Sequence, residues 1–284
     1  MRFVGLVATA VLVAAVAAAQ PPLHVVATIF PLSDMVRQIG GETVEVTTLL
    51  PPGANPHTFE PTPAQIRAAA GARVFIQVGA NLDAWAAKAL AGNAEVSTVT
   101  LTDGVALLGA SEHGGDPHVW LDPVLMRDAA VPAIARALTQ AGPQHGAAVQ
   151  QGAAQFQAAL SALDAQIHAQ LDTAAQRNFV SVHAGWRYFA RRYGLHELAT
   201  LEPFPGKEPS ARSIAALVQQ ARAAQVHALL IEPQFPTRIA EQVAGEFGAR
   251  VVLVDPLGGP AIPGRDSYVA LMRYNCAMFA DALR

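Results

Sequence analysis

The segment VHALLIEPQFPTRIAEQVAGEFGARVVLVD, residues 226–255, contains two short runs of apolar residues separated by one amphipathic stretch. The runs at 226–231 and 250–254 have the length and the valine, leucine and isoleucine content of buried strands. Between them, residues 236–247 repeat apolar side chains with the spacing of a helix. This order of strand, helix and strand is typical of parallel strands joined by a crossover helix. The segment therefore predicts an α/β fold.

The same alternation extends over most of the chain, in two sets separated by a long helical stretch. The predicted strands are 23–29, 44–50, 73–78 and 95–101 in the first set, and 179–182, 197–201, 226–231 and 250–254 in the second. The predicted helices are 31–39, 62–70, 82–90 and 122–141, and then 185–193, 210–225, 236–247 and a closing helix from 267. Residues 144–174 contain no strand candidate and repeat leucine and isoleucine at helical spacing. We therefore expect two Rossmann-like parallel-sheet lobes, 20–142 and 175–284, joined by a long rigid helix within 143–174.

The first 19 residues differ in character from the rest of the chain. Arg2 precedes an apolar run at 3–16, and three alanines follow before Gln20. This pattern is typical of a cleavable signal peptide, with a membrane anchor or a buried helix as the alternative. Because no cysteine lies near the cleavage site, we expect an unanchored protein in the periplasm of a bacterium with two membranes. The single cysteine, Cys276, is expected to pack as a small apolar side chain in the last helix.

The composition excludes several classes of protein. Hydrophobic residues make up 52% of the chain and charged residues 14%, which excludes a disordered protein. A formal net charge of −3 gives no basic surface for nucleic acid. One cysteine excludes a disulfide scaffold.

Three of the nine histidines lie just after predicted strands or in the loops that follow those strands. His57 lies in PPGANPHTFEP (51–61), His118 in DPHVWLDP (116–123), and His183 directly after the strand 179–182. Asp255 follows the strand 250–254 in the same way. Open α/β sheets bind ligands beyond the carboxyl ends of their strands, and three imidazoles with one carboxylate suit tetrahedral zinc. The alternatives are surface histidines and, for Asp255, an Asx turn.

The remaining histidines and one glutamate are expected to lie outside the set of metal ligands or to assist it. His113 lies in the polar loop before His118 and is either a transient metal ligand or a solvated loop residue. Glu232, at the end of the strand 226–231, is expected to accept a hydrogen bond from a ligand imidazole, with an ordinary rim carboxylate as the alternative. Five histidines are expected to be structural or solvated: His24, His145, His168, His196 and His227.

Four motifs in order resemble the metal-binding subunits of bacterial ABC importers for zinc and manganese. They are GANPHTFEP (53–61), PHVWLDP (117–123), VHAGWRYFARRYGL (182–195) and VDPLG (254–258). The resemblance implies two α/β lobes bridged by a rigid helix, with the metal held between them by residues that match His57, His118, His183 and Asp255. Histidine at the third position favours zinc over manganese. The chain differs from many zinc members in lacking a long histidine-rich insertion before the second ligand.

The resemblance implies a solute-binding protein that captures Zn²⁺ as its transported ligand, not an enzyme. The implied partners are an ABC importer permease in the inner membrane and a periplasmic metallochaperone, and we expect a monomer. A manganese receptor of the same family, a secreted zinc hydrolase and a surface adhesin are the alternatives. The hydrolase alternative lacks support, since the chain has no His-Glu-x-x-His or Gly-x-Ser-x-Gly motif and no P-loop. No catalytic residue is therefore predicted.

Overall fold

Two parallel four-stranded sheets form the framework of the protein, as seen in a computed structural model that describes residues 21–86, 90, 93, 95–109, 114–202 and 209–284. The first sheet has the order β2-β1-β3-β4, from β1 (Leu23–Ala27), β2 (Val44–Thr48), β3 (Val74–Gln77) and β4 (Ser97–Thr100). The second has the order β6-β5-β7-β8, from β5 (Asn178–His183), β6 (His196–Glu202), β7 (Ala228–Ile231) and β8 (Arg250–Leu253). All pairings are parallel, and the predicted fold class is confirmed.

Helices connect the strands and cover the sheets, close to the predicted positions. They are α1 (Phe30–Gly40), α2 (Pro63–Ala69), α3 (Val131–Ala141), α4 (Gly146–Leu171), α5 (Arg187–Tyr193), α6 (Ala211–Ala223), α7 (Thr237–Glu246) and α8 (Tyr268–Ala282). The predicted helix 82–90 lies partly outside the described residues, and the predicted signal peptide, 1–19, lies wholly outside them. Among the helices that the structure describes, none has the length and hydropathy to cross a membrane.

The long helix α4 is packed into the molecule along its whole length. Its buried side chains recur at helical spacing, as predicted, and pack against α1, α3 and α8. Because α1 and α3 belong to the first half of the chain and α8 to the second, α4 contacts both. Gly152 lets α4 approach the end of α1 closely, since a β-carbon at this position would overlap the carbonyl oxygen of Ile39.

The apolar core is continuous between the two sheets. One cluster includes the first sheet, α4 and the aromatic side chains Trp186, Phe189 and Phe279 of the second half. A smaller cluster covers the other face of the second sheet. Cys276 is buried in α8, as predicted. The two halves therefore share a core, which limits how far they can move apart without exposing apolar surface.

The segment 116–122 comes from the first half of the chain but is hydrogen-bonded to the second. It follows the first sheet and leads through short helical turns at Pro123–Leu125 and Met126–Ala130 into α3. Two tyrosines of the second half donate to its backbone: Tyr188 Oη to Asp116 O (3.0 Å) and Tyr268 Oη to Trp120 O (2.7 Å). Trp120 Nε1 in turn donates to Pro256 O at 2.8 Å. Arg192 donates to both carboxylate oxygens of Asp122, at 2.9 and 3.0 Å.

Candidate metal centre

Three imidazoles converge between the two sheets. Nitrogen atoms of His57, His118 and His183, one from each ring, all lie within 4.8 Å of one another. The Nε2 atoms of His57 and His118 are 3.3 Å apart. A tetrahedral zinc ion with Zn–N bonds of about 2.0–2.1 Å separates its nitrogen ligands by about 3.3–3.4 Å. The spacing of this pair is therefore that of two ligands of one zinc ion.

His57 is held by the loop that follows β2. Its backbone N–H donates to Oδ1 of Asn55 at 2.9 Å, and Trp85 Nε1 donates to the carbonyl of the intervening Pro56 at 2.9 Å. Phe59 packs edge-on against the Trp85 ring. The hydrogen bond to Asn55 and the one from Trp85 thus hold a loop that has no regular secondary structure.

His118 is held by Asp116, two residues earlier. Oδ1 of Asp116 lies 2.7 Å from Nδ1 of His118 and also accepts the backbone N–H of His118 at 3.0 Å. Both side chains are buried. Since Nδ1 faces this carboxylate, Nε2 is the nitrogen of His118 that faces the imidazole of His57.

His183 ends β5 and is held by Glu232, which follows β7. Nδ1 of His183 lies 3.3 Å from Oε2 of Glu232, and Trp186 Nε1 donates to Oε1 at 3.0 Å. The ring of Phe235 stacks on that of His183. The contact expected of Glu232 from the sequence is therefore present, and α5 contributes Trp186 from its N-cap position to hold the carboxylate.

Burial and charge affect the three imidazoles differently. Burial, and then the charges of His118 and His183, lower the pKa of His57 to about 2. Burial also acts to lower the pKa of His183, but the charge of Glu232, the hydrogen bond to it, and the charges of Glu197 and Asp116 together outweigh burial, and the net pKa is raised. His57 is therefore neutral and free to bind a metal throughout the physiological range.

Asp255 does not join the three histidines in the structure. It follows β8, and its Oδ1 accepts the backbone N–H groups of Leu257 and Gly258, both at 2.9 Å. Arg265 donates to Oδ2 at 2.9 Å. Both carboxylate oxygens are thus used in holding the loop after β8, which is the Asx-turn alternative for this residue.

The space among the imidazoles is small and mostly apolar. It is lined by the three histidines with Trp120, Phe235 and neighbouring residues, and it holds about 10 Å³ of free volume. That is about the room that one water molecule needs. Gln234 also lines it, and the buried Oε1 of this residue has no hydrogen-bond partner among the described residues. The cavity fits a single small ion and does not fit an organic substrate.

Comparison with known proteins gives the family. The family described as ZnuA, zinc-uptake complex component A periplasmic, matches residues 25–282. The chain belongs to this family.

Individual members of the ZnuA family agree in sequence and in fold. The high-affinity zinc uptake system protein ZnuA of Bacillus subtilis (strain 168) is 28% identical over 280 residues, covering 92% of this chain and 88% of the relative. A ZnuA crystal structure superposes with a TM-score of 0.84 at 30% identity, covering 93% of this chain and all of that one. A ZnuA deletion mutant with zinc bound gives a TM-score of 0.83 at 29% identity, covering 92% and 98%. The resemblance inferred from the sequence is confirmed.

The other described histidines of this ZnuA-family chain lie away from the candidate site. Nε2 of His24 lies 3.2 Å from the Thr47 hydroxyl, and His168 lies beside Asp164 and Tyr193. His145 is buried at the start of α4, whereas His196 and His227 are exposed. His113 lies outside the described residues. None of these described histidines joins a group of three candidate ligands.

A buried carboxyl group, Glu197 on β6, lies near the strand that carries His183. Burial raises its pKa to about 7. The Ser181 hydroxyl lies 2.7 Å from Oε1 of Glu197 and 2.9 Å from the carbonyl of His183. The hydrogen bond from Ser181 and the charge of Arg187, whose Nε lies 3.7 Å from Oε2 of Glu197, oppose this rise in pKa without cancelling it.

Glu197→Gln is expected to change how stability depends on pH. Because the folded pKa is raised above the ordinary 4.5, the native protein loses stability as pH rises from about 5 through 7. Raising this pKa by about 2.5 units corresponds to at most about 3 kcal/mol. The variant cannot ionise at this position. Relative to the wild type, the variant should therefore be more stable at pH 8 than it is at pH 5. The quantity to measure is the difference in free energy of unfolding between variant and wild type, by urea denaturation with chelator present. A constant difference would contradict the assignment.

Proposed function

We propose that the chain is a periplasmic receptor that binds Zn²⁺ through His57, His118 and His183 and delivers it to an ABC-type permease in the inner membrane. The observation that carries the proposal is the convergence of three imidazoles from both halves of the chain within 4.8 Å. Membership of the ZnuA family and the likeness to a zinc-bound ZnuA structure support it.

The proposed ligand set differs from the four-residue expectation in the role of Asp255. Its carboxylate oxygens accept three hydrogen bonds, from two backbone N–H groups and Arg265. Recruiting it to the metal would break contacts that fix the loop after β8. We therefore assign it to holding that loop, with a water molecule as the fourth zinc ligand.

The same geometry favours zinc over manganese and a receptor over an enzyme. Three nitrogen ligands suit zinc, whereas manganese prefers carboxylate, carbonyl and water oxygens. A zinc hydrolase needs a general base beside an open metal position. Among the described residues that line the cavity, Glu232 is the one carboxylate, and its oxygens already face Trp186 and His183.

The proposal includes export and the division of the chain. Residues 1–19 act as the removable signal, 20–142 and 175–284 form the two lobes, and 143–174 joins them. The mature protein acts as a monomer. Mass spectrometry of the protein purified from the periplasm tests the cleavage site, and a lipid-modified or uncleaved product would contradict this part of the proposal.

Metal content and competition on the mature wild-type chain test the function. After equilibration with zinc, we expect mass spectrometry to find one zinc ion per chain. We expect the protein to compete with a chromogenic chelator for zinc, and about a 100-fold excess of manganese not to displace the bound zinc. Zinc bound in no fixed ratio, or manganese bound in preference, would contradict the proposal. Turnover of peptide, ester or phosphate substrates by the zinc-loaded protein would favour the hydrolase.

A further inference from the structure

We propose that Asp116 and Glu232 are positioning residues that commit His118 and His183 to binding the metal through Nε2, and that their buried carboxylates strengthen binding of the metal ion. This inference rests on the proposed function, since it concerns the same three-histidine site. It assigns two residues that do not themselves bind the metal.

The first support is the burial of two carboxylates without a basic partner. Asp116 and Glu232 are 9% and 4% exposed. Neither forms an ion pair with arginine or lysine among the described residues, and their only ion-pair contacts are with the two imidazoles. Oδ2 of Asp116 is buried and has no hydrogen-bond partner among the described residues. Buried charge is costly unless an opposite charge compensates for it, and a dication bound to the neighbouring imidazoles supplies that charge.

The second support is the hydrogen-bond geometry at Glu232. Nδ1 of His183 lies between the two carboxylate oxygens, at 3.4 Å from Oε1 and 3.3 Å from Oε2. Both oxygens can only accept, so the imidazole carries its proton on Nδ1 and presents Nε2 to the metal. Trp186 Nε1 donates to Oε1, so an amide at this position keeps its oxygen toward Trp186 and puts its NH₂ group in the place of Oε2, facing Nδ1. Glu232→Gln should therefore favour the opposite tautomer, with the proton on Nε2.

Asp116 differs from Glu232 in a way that separates the two effects. Its Oδ1 atom alone accepts both bonds from His118, and Oδ2 accepts none from the described residues. Asparagine can place its amide oxygen where Oδ1 stands, so Asp116→Asn keeps the tautomer and removes the charge. Glu232→Gln removes both the charge and the acceptor geometry.

The test combines imidazole tautomers with zinc affinity. In metal-free wild type, at a pH where the imidazoles are neutral, nitrogen–proton correlation spectra should place the proton of His118 and His183 on Nδ1. Glu232→Gln should move the His183 proton toward Nε2 and lower zinc affinity about 10- to 100-fold, whereas Asp116→Asn should lower affinity with the His118 tautomer unchanged. Asp34→Asn is the matched control, because Asp34 is a buried carboxyl that accepts the backbone N–H of Tyr268 and contacts no imidazole of the site. It should change neither quantity.

Each outcome bears on a separate statement. The positioning role would be overturned if His183 of the wild type carried its proton on Nε2, or if the Glu232→Gln variant kept wild-type zinc affinity. The first of these measurements uses only the wild-type protein, so it does not depend on whether a variant folds. If Glu232→Gln is unfolded, Gly185→Ala replaces it. A β-carbon there lies 3.2 Å from both Oε1 of Glu232 and Nδ1 of His183, and should loosen the contact with the same shift of tautomer. A wild type with the expected tautomers that binds no zinc would instead contradict the proposed function.

Discussion

His57→Ala, His118→Ala and His183→Ala are each expected to lower zinc affinity by more than the roughly 10- to 100-fold that loss of a partner outside the coordination shell costs. Each substitution removes one of only three proposed protein ligands, and the two that remain cannot enclose a tetrahedral ion. Competition with a chromogenic chelator measures the loss, and circular dichroism checks the fold.

Matched controls are available on the same chain. His145→Ala and His168→Ala remove imidazoles at the two ends of α4, away from the site, and should leave zinc affinity unchanged. Asp255→Asn should cost less affinity than any of the three histidine variants, because its carboxylate bonds the loop and Arg265. Equal losses from all five histidine variants would contradict the assigned ligand set.

Gly152→Ala is expected to destabilise the protein by about 1–3 kcal/mol, the cost of overpacking a close contact. The added β-carbon would overlap the carbonyl oxygen of Ile39 and lie 2.9 Å from the carbonyl carbon of the same residue. Backbone atoms cannot rotate away as a side chain can, so α4 must shift relative to α1. Urea denaturation of the metal-free protein measures the change.

Gly245→Ala in α7 is the matched control for this prediction. It is the same substitution in a helix, and a β-carbon at Gly245 meets nothing within 4 Å. Without a clash, alanine should stabilise the helix by about 0.5–1 kcal/mol through its higher propensity. Equal changes in the two variants would show that contact with α1 does not decide the effect at Gly152.

The strands and helices could be predicted well because their periods differ clearly in this sequence. The predicted strand 44–50 extends past β2, yet Leu49 and Leu50 still donate to the carbonyls of Ala27 and Thr28. The predicted helix 122–141 begins as expected, with Asp122 accepting from the backbone of Val124. It also contains a π turn at Met126–Ala130, which the helical spacing of the sequence did not predict.

The histidines of the candidate site could be predicted from strand ends, but their supporting residues could not. Trp186 reaches Glu232 across 46 positions of sequence, a pairing that only the fold creates. Asp255 stands after a strand as His183 does, and this position together with the family resemblance suggested a ligand. The sequence does not reveal that Arg265 and two backbone N–H groups occupy its oxygens. Asp116 left a signal, since an aspartate two residues before a histidine can bond its backbone and, here, its ring.

The hydrogen bonds of the segment 116–122 decide how the three histidines would divide if the lobes separated. His118 is encoded in the first half of the chain but is anchored on both sides to the second, through Asp116 and Trp120. His57 is anchored by Asn55 and Trp85, which belong to the first half. An opening movement would therefore split the ligands one against two, and the ion would begin its exit by losing His57 while two imidazoles still held it.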